Sequence, residues 1–195
     1  IDLTGHTADL MISTLTMAQR SVGAGGAAAT LTFDTGTLDI TSLVMAVNTS
    51  VTALATSTAT LNIGGGTATI GAINMANAGS GRTVSSTINL TGGTTTLGAD
   101  IVRTGGAGTE NATITLNGAS ATLNMAGFSI GSSGNPITLD AQAGTLKNLA
   151  QLNGGTTALT KSTSGNLTMD GTNTYSGGTA IQDCRVIAVG GADNR

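Results

Sequence analysis

Aromatic residues are almost missing from this sequence: two phenylalanines, one tyrosine and no tryptophan in 195 residues. Charge is scarce as well, with Lys, Arg, Asp and Glu together 9% of the chain and a net charge of −3. Without aromatic platforms for bases, or a Lys/Arg cluster to neutralise phosphates, nucleic acid is not an expected partner. A single cysteine, Cys184, leaves no intrachain disulfide to form. It reads as a small buried or edge residue rather than a nucleophile, because His6 lies far away in sequence with no supporting base. One histidine and one cysteine also argue against a dedicated metal site, and no cofactor is expected. No apolar run is long enough to span a bilayer, so membrane attachment is expected only through a separate anchor or barrel. No signal peptide remains at the start, and the opening on Ile1 rather than Met leads to the expectation of a processed product or a piece of a longer protein.

What remains is small and strand-forming. Hydrophobic residues make up 39% of the chain, mean hydropathy is +0.23, and 30 residues are glycine. That is too apolar and too weakly charged for disorder. Thr, Val, Ile and Gly suit strands and turns, and charged helix formers are few. The expected class is all-β, and residues 1–195 suffice for one domain.

Short runs recur along the chain: Thr30-Leu-Thr-Phe33, Thr60-Leu-Asn-Ile63, Thr87-Ile-Asn-Leu90, Thr113-Ile-Thr-Leu116, Ile137-Thr-Leu139 and Leu167-Thr-Met169. Each alternates apolar with polar, the period of a strand with one buried face. Turn residues follow: Asp34-Thr-Gly36, Gly64-Gly-Gly66, Thr91-Gly-Gly93, Asn117-Gly118, Gly144 and Asp170-Gly171. A second strand comes next at Thr37–Ile40, Thr67–Ile70, Thr94–Leu97, Ala121–Met125 and Thr145-Leu146. A third apolar run closes each unit at Leu43-Val-Met45, Ile73-Asn-Met75, Ile101-Val102, Phe128-Ser-Ile130 and Leu149–Leu152. The opening residues Ile1–Leu3, Ala8–Ile12 and Leu15–Met17 repeat the pattern.

Three short strands per unit predict a parallel β-solenoid of about seven coils, a rod roughly 30 Å long at about 4.8 Å per coil. Right-handed winding is expected from the bias of parallel crossovers. Leu31, Leu61, Leu90, Leu116, Leu139 and Leu167 are expected to stack as one inner ladder, with Phe33 and Ile63 starting a second. The connections Ala18–Ala28, Ala46–Thr58, Ala76–Ser86 and Thr104–Ala112 read as long loops, and Gly131–Asn135 as a short one. Pro136 falls at a strand start, where its missing donor is tolerated. The alternative architecture is an antiparallel sandwich or barrel, with hairpins in place of a ladder.

Toward the C-terminus, Leu159-Thr-Lys161 is followed by Gly165, Leu167, Thr168, Gly171, Asn173, Thr174, Tyr175, Gly177, Gly178 and Thr179. This spacing resembles the autotransporter-associated β-strand repeat, "LTK, then G-x-LTL-x-G-x-NTY-x-GGT", over about one coil. Beyond Ile181 the chain carries Asp183-Cys184-Arg185-Val186, where the family continues with a small residue, Gly, Thr and Leu. The resemblance implies a right-handed β-helix and export to the bacterial cell surface or beyond. It implies no activity.

A glycosidase or lyase on such a fold needs paired carboxylates, or carboxylates with Ca²⁺. The acids are Asp2, Asp9, Asp34, Asp39, Asp100, Glu110, Asp140, Asp170, Asp183 and Asp193. Asp34, Asp140 and Asp170 are placed at or beside the first corner, where stacking would give a partial acidic line interrupted by Asn62 and Asn117. Corner chemistry, with short side chains capping backbone donors, is the preferred reading. Gly64–Gly66 and Gly177-Gly178 lack the Lys-Ser/Thr and the helix of a phosphate loop. The sequons at Asn48, Asn89, Asn111 and Asn166 are what so Thr-rich a chain contains by chance. Thr-x-Thr pairs at 14/16, 30/32, 35/37, 67/69, 94/96, 113/115 and 172/174 bring ice binding into view. Coils of unequal length argue against a regular array: Leu3 to Leu31 is 28 residues, Leu116 to Leu139 only 23.

The expected function is a structural or adhesive, non-catalytic surface protein, a passenger-like stalk or fibre. End-to-end self-association through open solenoid edges and a host or surface glycan or protein are its candidate partners. The alternatives are a polysaccharide-active enzyme and an ice-binding solenoid.

Overall fold

A computed structural model describes residues 1–23, 25–50, 55–182 and 185–189. Strands make up 61% of it, with no α-helix among the described residues and one 3-10 turn at Asn153–Gly155, and wind into a parallel β-solenoid of about six turns rather than seven. The complete turns lie between partial ones at both ends, where the first coil reaches its neighbour's first face only by a bridge from Asp2 to Thr32. The strands are β1 (Ala8–Arg20), β2 (Ala28–Phe33), β3 (Gly36–Asn48), β4 (Ser57–Ile63), β5 (Thr67–Ala78), β6 (Thr83–Leu90) and β7 (Thr94–Leu97). Then come β8 (Ile101–Arg103), β9 (Thr109–Asn124), β10 (Thr138–Lys147), β11 (Leu159–Lys161), β12 (Asn166–Asp170), β13 (Thr179–Ile181) and β14 (Arg185–Val189). Every strand pairing among them is parallel, which rules out the antiparallel sandwich.

Each complete turn has three faces. The first holds β2, β4, β6 and the opening halves of β9 and β10. The second runs through the opening halves of β1, β3 and β5, then β7, the closing halves of β9 and β10, β12 and β14. The third takes the closing halves of β1, β3 and β5, then β8, Ile130 and Leu152. The bend inside β3 is legible in its burial. Leu38 and Ile40 are buried, and the next buried positions are Leu43 and Met45. A step of three in a period of two keeps both pairs inward only if the strand turns a corner.

The inner ladders are the core. Leu15, Leu43, Ile73, Ile101, Ile130 and Leu152 stack down the third face. On the first face the four-residue runs stack as aligned from the sequence, Thr30 on Thr60, Thr87 and Thr113. The expected all-leucine ladder is corrected, however. Leu31 meets Leu61, then Ile88, Ile114 and Leu139, whereas Leu90 and Leu116 continue the ladder that Phe33 and Ile63 begin. Leu167 is on the second face, paired with Gly144 and Val186. A shift of two residues leaves a side chain on the same face, so the alternation alone cannot distinguish the two ladders.

Pairing also runs further than expected. β1, β3 and β5 continue past the third face to Arg20, Asn48 and Ala78, with Arg20 beside Asn48 and Asn48 beside Ala78. The connections after β1 and β5 therefore shrink to residues 21–27 and 79–82, and the early start of β9 leaves 104–108 between β8 and β9. The third face ends in a repeated Met-Ala corner: Met17, Met45 and Met75 stack, and Ala18, Ala46 and Ala76 have φ of 55°, 50° and 56°. Left-handed backbone costs a non-glycine residue about 1–2 kcal/mol. Here it turns the chain inside a packed corner, where Ala46 and Ala76 are fully buried and larger side chains have no room.

Ala46→Val puts a branched side chain on this strained, buried turn. It is expected to lower the unfolding free energy by about 2–3 kcal/mol. Ser42→Ala, in the half-buried bend of the same strand, is expected to change it by well under half that, by chemical denaturation.

Candidate functional site

Among the described residues the acidic side chains are dispersed, most of them held by nearby backbone or by a neighbouring coil. Asp34 follows the first face, where Gly64 lies beside it in the next coil, and its Oδ2 accepts from Gly5 N at 2.9 Å. Asp140 stacks on Thr115, two positions earlier in the rung, and accepts from Gln142 Nε2 at 2.5 Å. Asp170 stands on the second face opposite Lys147 and Val189. The three occupy different columns, so the partial acidic line expected from sequence does not form. The capping role is observed instead: Asp2 accepts from Thr4 N and Oγ1, Asp9 from Thr37 N and Oγ1, and Asp100 from Ser129 N. Asp183, Cys184 and Asp193 lie outside the described residues. Among the described residues, no group of three His, Cys, Asp or Glu could hold a metal ion.

Three charged side chains, Arg103, Glu110 and Lys161, are largely buried, which the sequence reading missed. Arg103 pairs with Met75, so it takes the rung where the lower coils place methionine. Its Nη1 lies 3.4 Å from Glu110 Oε2 and donates to the Glu110 carbonyl at 3.1 Å. Glu110 Oε1 in turn accepts from Ala78 N at 2.8 Å, and the Glu110 side chain is 3% exposed. Lys161, the lysine of the LTK run, is fully buried and donates to the Thr163 carbonyl and hydroxyl at 2.5 and 2.9 Å. Alternation marks its position as inward, but the chemistry of lysine hides that.

The outward threonines are more regular than the coil lengths suggest. Thr37, Thr67, Thr94, Thr122, Thr145 and Thr168 form one unbroken file on the second face. Thr30, Thr60, Thr87, Thr113 and Thr138 form another on the first. The Thr-x-Thr pairs are divided among faces, as expected. Unequal coil length does not break the files, because the surplus residues leave through the connections.

Among the described residues β1 pairs only with β3, which leaves the other edge of its backbone without a strand partner there. Leu3, Leu10, Ile12 and Leu15 are only partly buried there, around a cavity of about 480 Å³ that Leu31 also lines. The end is apolar and uncapped within the described residues.

Comparison with protein-family models, curated proteins and solved structures finds no match.

One ion pair crosses rungs on the outside. Lys147 Nζ lies 2.8 Å from Asp170 Oδ2, and this ammonium, with the Gly171 amide, holds the Asp170 carboxyl below its ordinary value. A lowered folded-state value means that the stabilisation is present at neutral pH. It is lost as pH falls through the carboxylate range. Asp170→Asn is therefore expected to flatten part of the acid limb of stability against pH, with little loss at neutral pH because both partners are about one-third exposed. An unchanged acid limb in urea titrations contradicts this assignment.

Proposed function

We propose that this chain is a structural, non-catalytic module of an extracellular or cell-surface solenoid, similar to part of an autotransporter passenger. Its work is mechanical, with no residue given a catalytic role. Force or a protease acting on one coil meets backbone hydrogen bonds to the coils above and below. It also meets side chains held in columns that span the stack. The observation that carries the reading is the unbroken third-face ladder from Leu15 to Leu152. Such a module suits a stalk that holds adhesive surfaces, for a host or surface glycan or protein, away from a cell.

The open N-terminal edge supports the further reading that copies stack end to end. Sedimentation across a wide concentration range is expected to show growing, elongated species. Ile12→Lys, which charges the open end, is expected to hold the protein as a monomer. Uniform monomers of the unmodified chain at high concentration would remove self-association from the proposal. Native-state proteolysis tests the mechanical part separately: rapid cleavage within β3 to β9 under native conditions is the contrary result.

Ice binding is the second reading, favoured by the six-threonine file on the second face. Hydroxyls and methyls there repeat at about 4.8 Å along the stack. Thermal hysteresis is its signature, expected to be abolished by Thr94→Lys in the middle of the file. Freezing without hysteresis at millimolar protein rejects it.

A further inference from the structure

The first-face ladder is interrupted once. β10 pairs with β9 on one side, whereas β11 forms a separate two-stranded sheet with β13. The cause is local. Asn153, 4% exposed and with φ of 50°, turns its amide onto Ile137, accepting from Ile137 N at 2.8 Å and donating to Ile137 O at 3.0 Å. A side chain thereby takes backbone groups that a strand in the next coil would otherwise take. At the break lies a cleft of about 480 Å³, lined by residues of β9, β10 and β11 and by the corner of the third face.

Its walls have a distinct chemistry. Ala112, Ile137 and Leu139, all buried, contribute aliphatic surface. Thr113, Thr138 and Thr160 contribute hydroxyls, and Thr113 and Thr138 are register partners on adjacent rungs. One side is closed by Arg103 and Glu110, whose side chains are 15% and 3% exposed. Their charges cancel, so neither a free anion nor a free cation finds an uncompensated opposite charge. The pair is nonetheless fixed in position, with directional donors and acceptors beside the hydroxyls.

Threonine hydroxyls, a small amount of aliphatic carbon and a charge-compensated polar wall lining one cleft together complement a neutral pyranose ring, with its polar rim and its C–H face. The volume lies within the range of about 300–1,000 Å³ usual for small-molecule sites. We propose that this cleft binds a neutral saccharide unit. The inference rests on the adhesive half of the function proposed above and is independent of the mechanical half, so a failure here leaves the proteolysis result standing.

The test uses the whole chain and ligand-observed saturation-transfer NMR. The probes are the methyl glycosides of glucose, galactose, mannose and N-acetylglucosamine. Glucuronate and glucosamine serve as charged controls, and trialanine tests for strand insertion at the sheet break. At least one neutral glycoside is expected to bind saturably. Thr138→Val, which keeps shape and removes a hydroxyl, is expected to weaken it about fivefold. Thr160→Trp, which fills the cleft, is expected to abolish binding, and Thr69→Val on the second face to leave it unchanged. Circular dichroism verifies that each variant keeps its fold. Absence of saturable binding by all four glycosides overturns the proposal. So does preference for a charged sugar or for the tripeptide, and so does full binding by folded Thr160→Trp.

Discussion

Parallel hydrogen bonding between one coil and the next is the constraint on which everything else in this molecule depends. It sets the distance between like positions at about 4.8 Å and disfavours a one-residue slip of register once one face is buried. A residue that points inward in one coil therefore lies against its equivalent in the next. The Leu15-to-Leu152 column, the stacked methionines and the two threonine files are all consequences of that single geometry. With so few aromatics, the core is assembled from Leu, Ile, Met and Ala in columns rather than from a few large anchors.

That constraint also explains how an irregular sequence makes a regular stack. Successive threonines of the second-face file are separated by 30, 27, 28, 23 and 23 residues, yet they are direct register partners. The variation is taken up outside the ladders, in the connections and at the corners. Corners are crowded too: at Gly93, φ is +70° and a Cβ would stand 2.4 Å from the backbone of the coil beneath. Such positions accept only glycine, which is how corners stay aligned while connections vary.

Much of this was legible in the amino-acid order. The alternating runs from Thr30 to Leu116 name the first-face strands and even their mutual alignment, because period-2 hydrophobicity and the turn residues after it act together. Other features were not legible. Alternation separates inside from outside but does not say which of three faces a run occupies, so Leu167 was placed on the first face and belongs to the second. Alanine carries no turn signal, so the left-handed corners at Ala18, Ala46 and Ala76 were invisible; their cause is burial, which excludes larger side chains. Arg103 and Glu110 looked like loop charges, since nothing in the sequence shows that a guanidinium replaces methionine inside a rung. The acidic line failed because Asp34 follows β2, Asp140 lies within β10 and Asp170 ends β12 on another face, so the three share no rung position.

Departures from the repeat are where distinct chemistry collects. The apolar ladders are nearly uniform, and where the methionine column gives way to Arg103 a buried ion pair follows. A buried pair of this kind contributes little net stability against an apolar replacement, because desolvation offsets the attraction. Another methionine in this position would continue the column at no such cost. Asn153 likewise accepts from Ile137 N through its amide oxygen and donates from its amide nitrogen to Ile137 O and Thr157 Oγ1, beside the place where β10 and β11 do not pair. Both exceptions face the same cleft. In a fold built from repetition, these two neighbouring departures from the repeat line one cavity, so distinct chemistry gathers there while the ladders elsewhere stay nearly uniform.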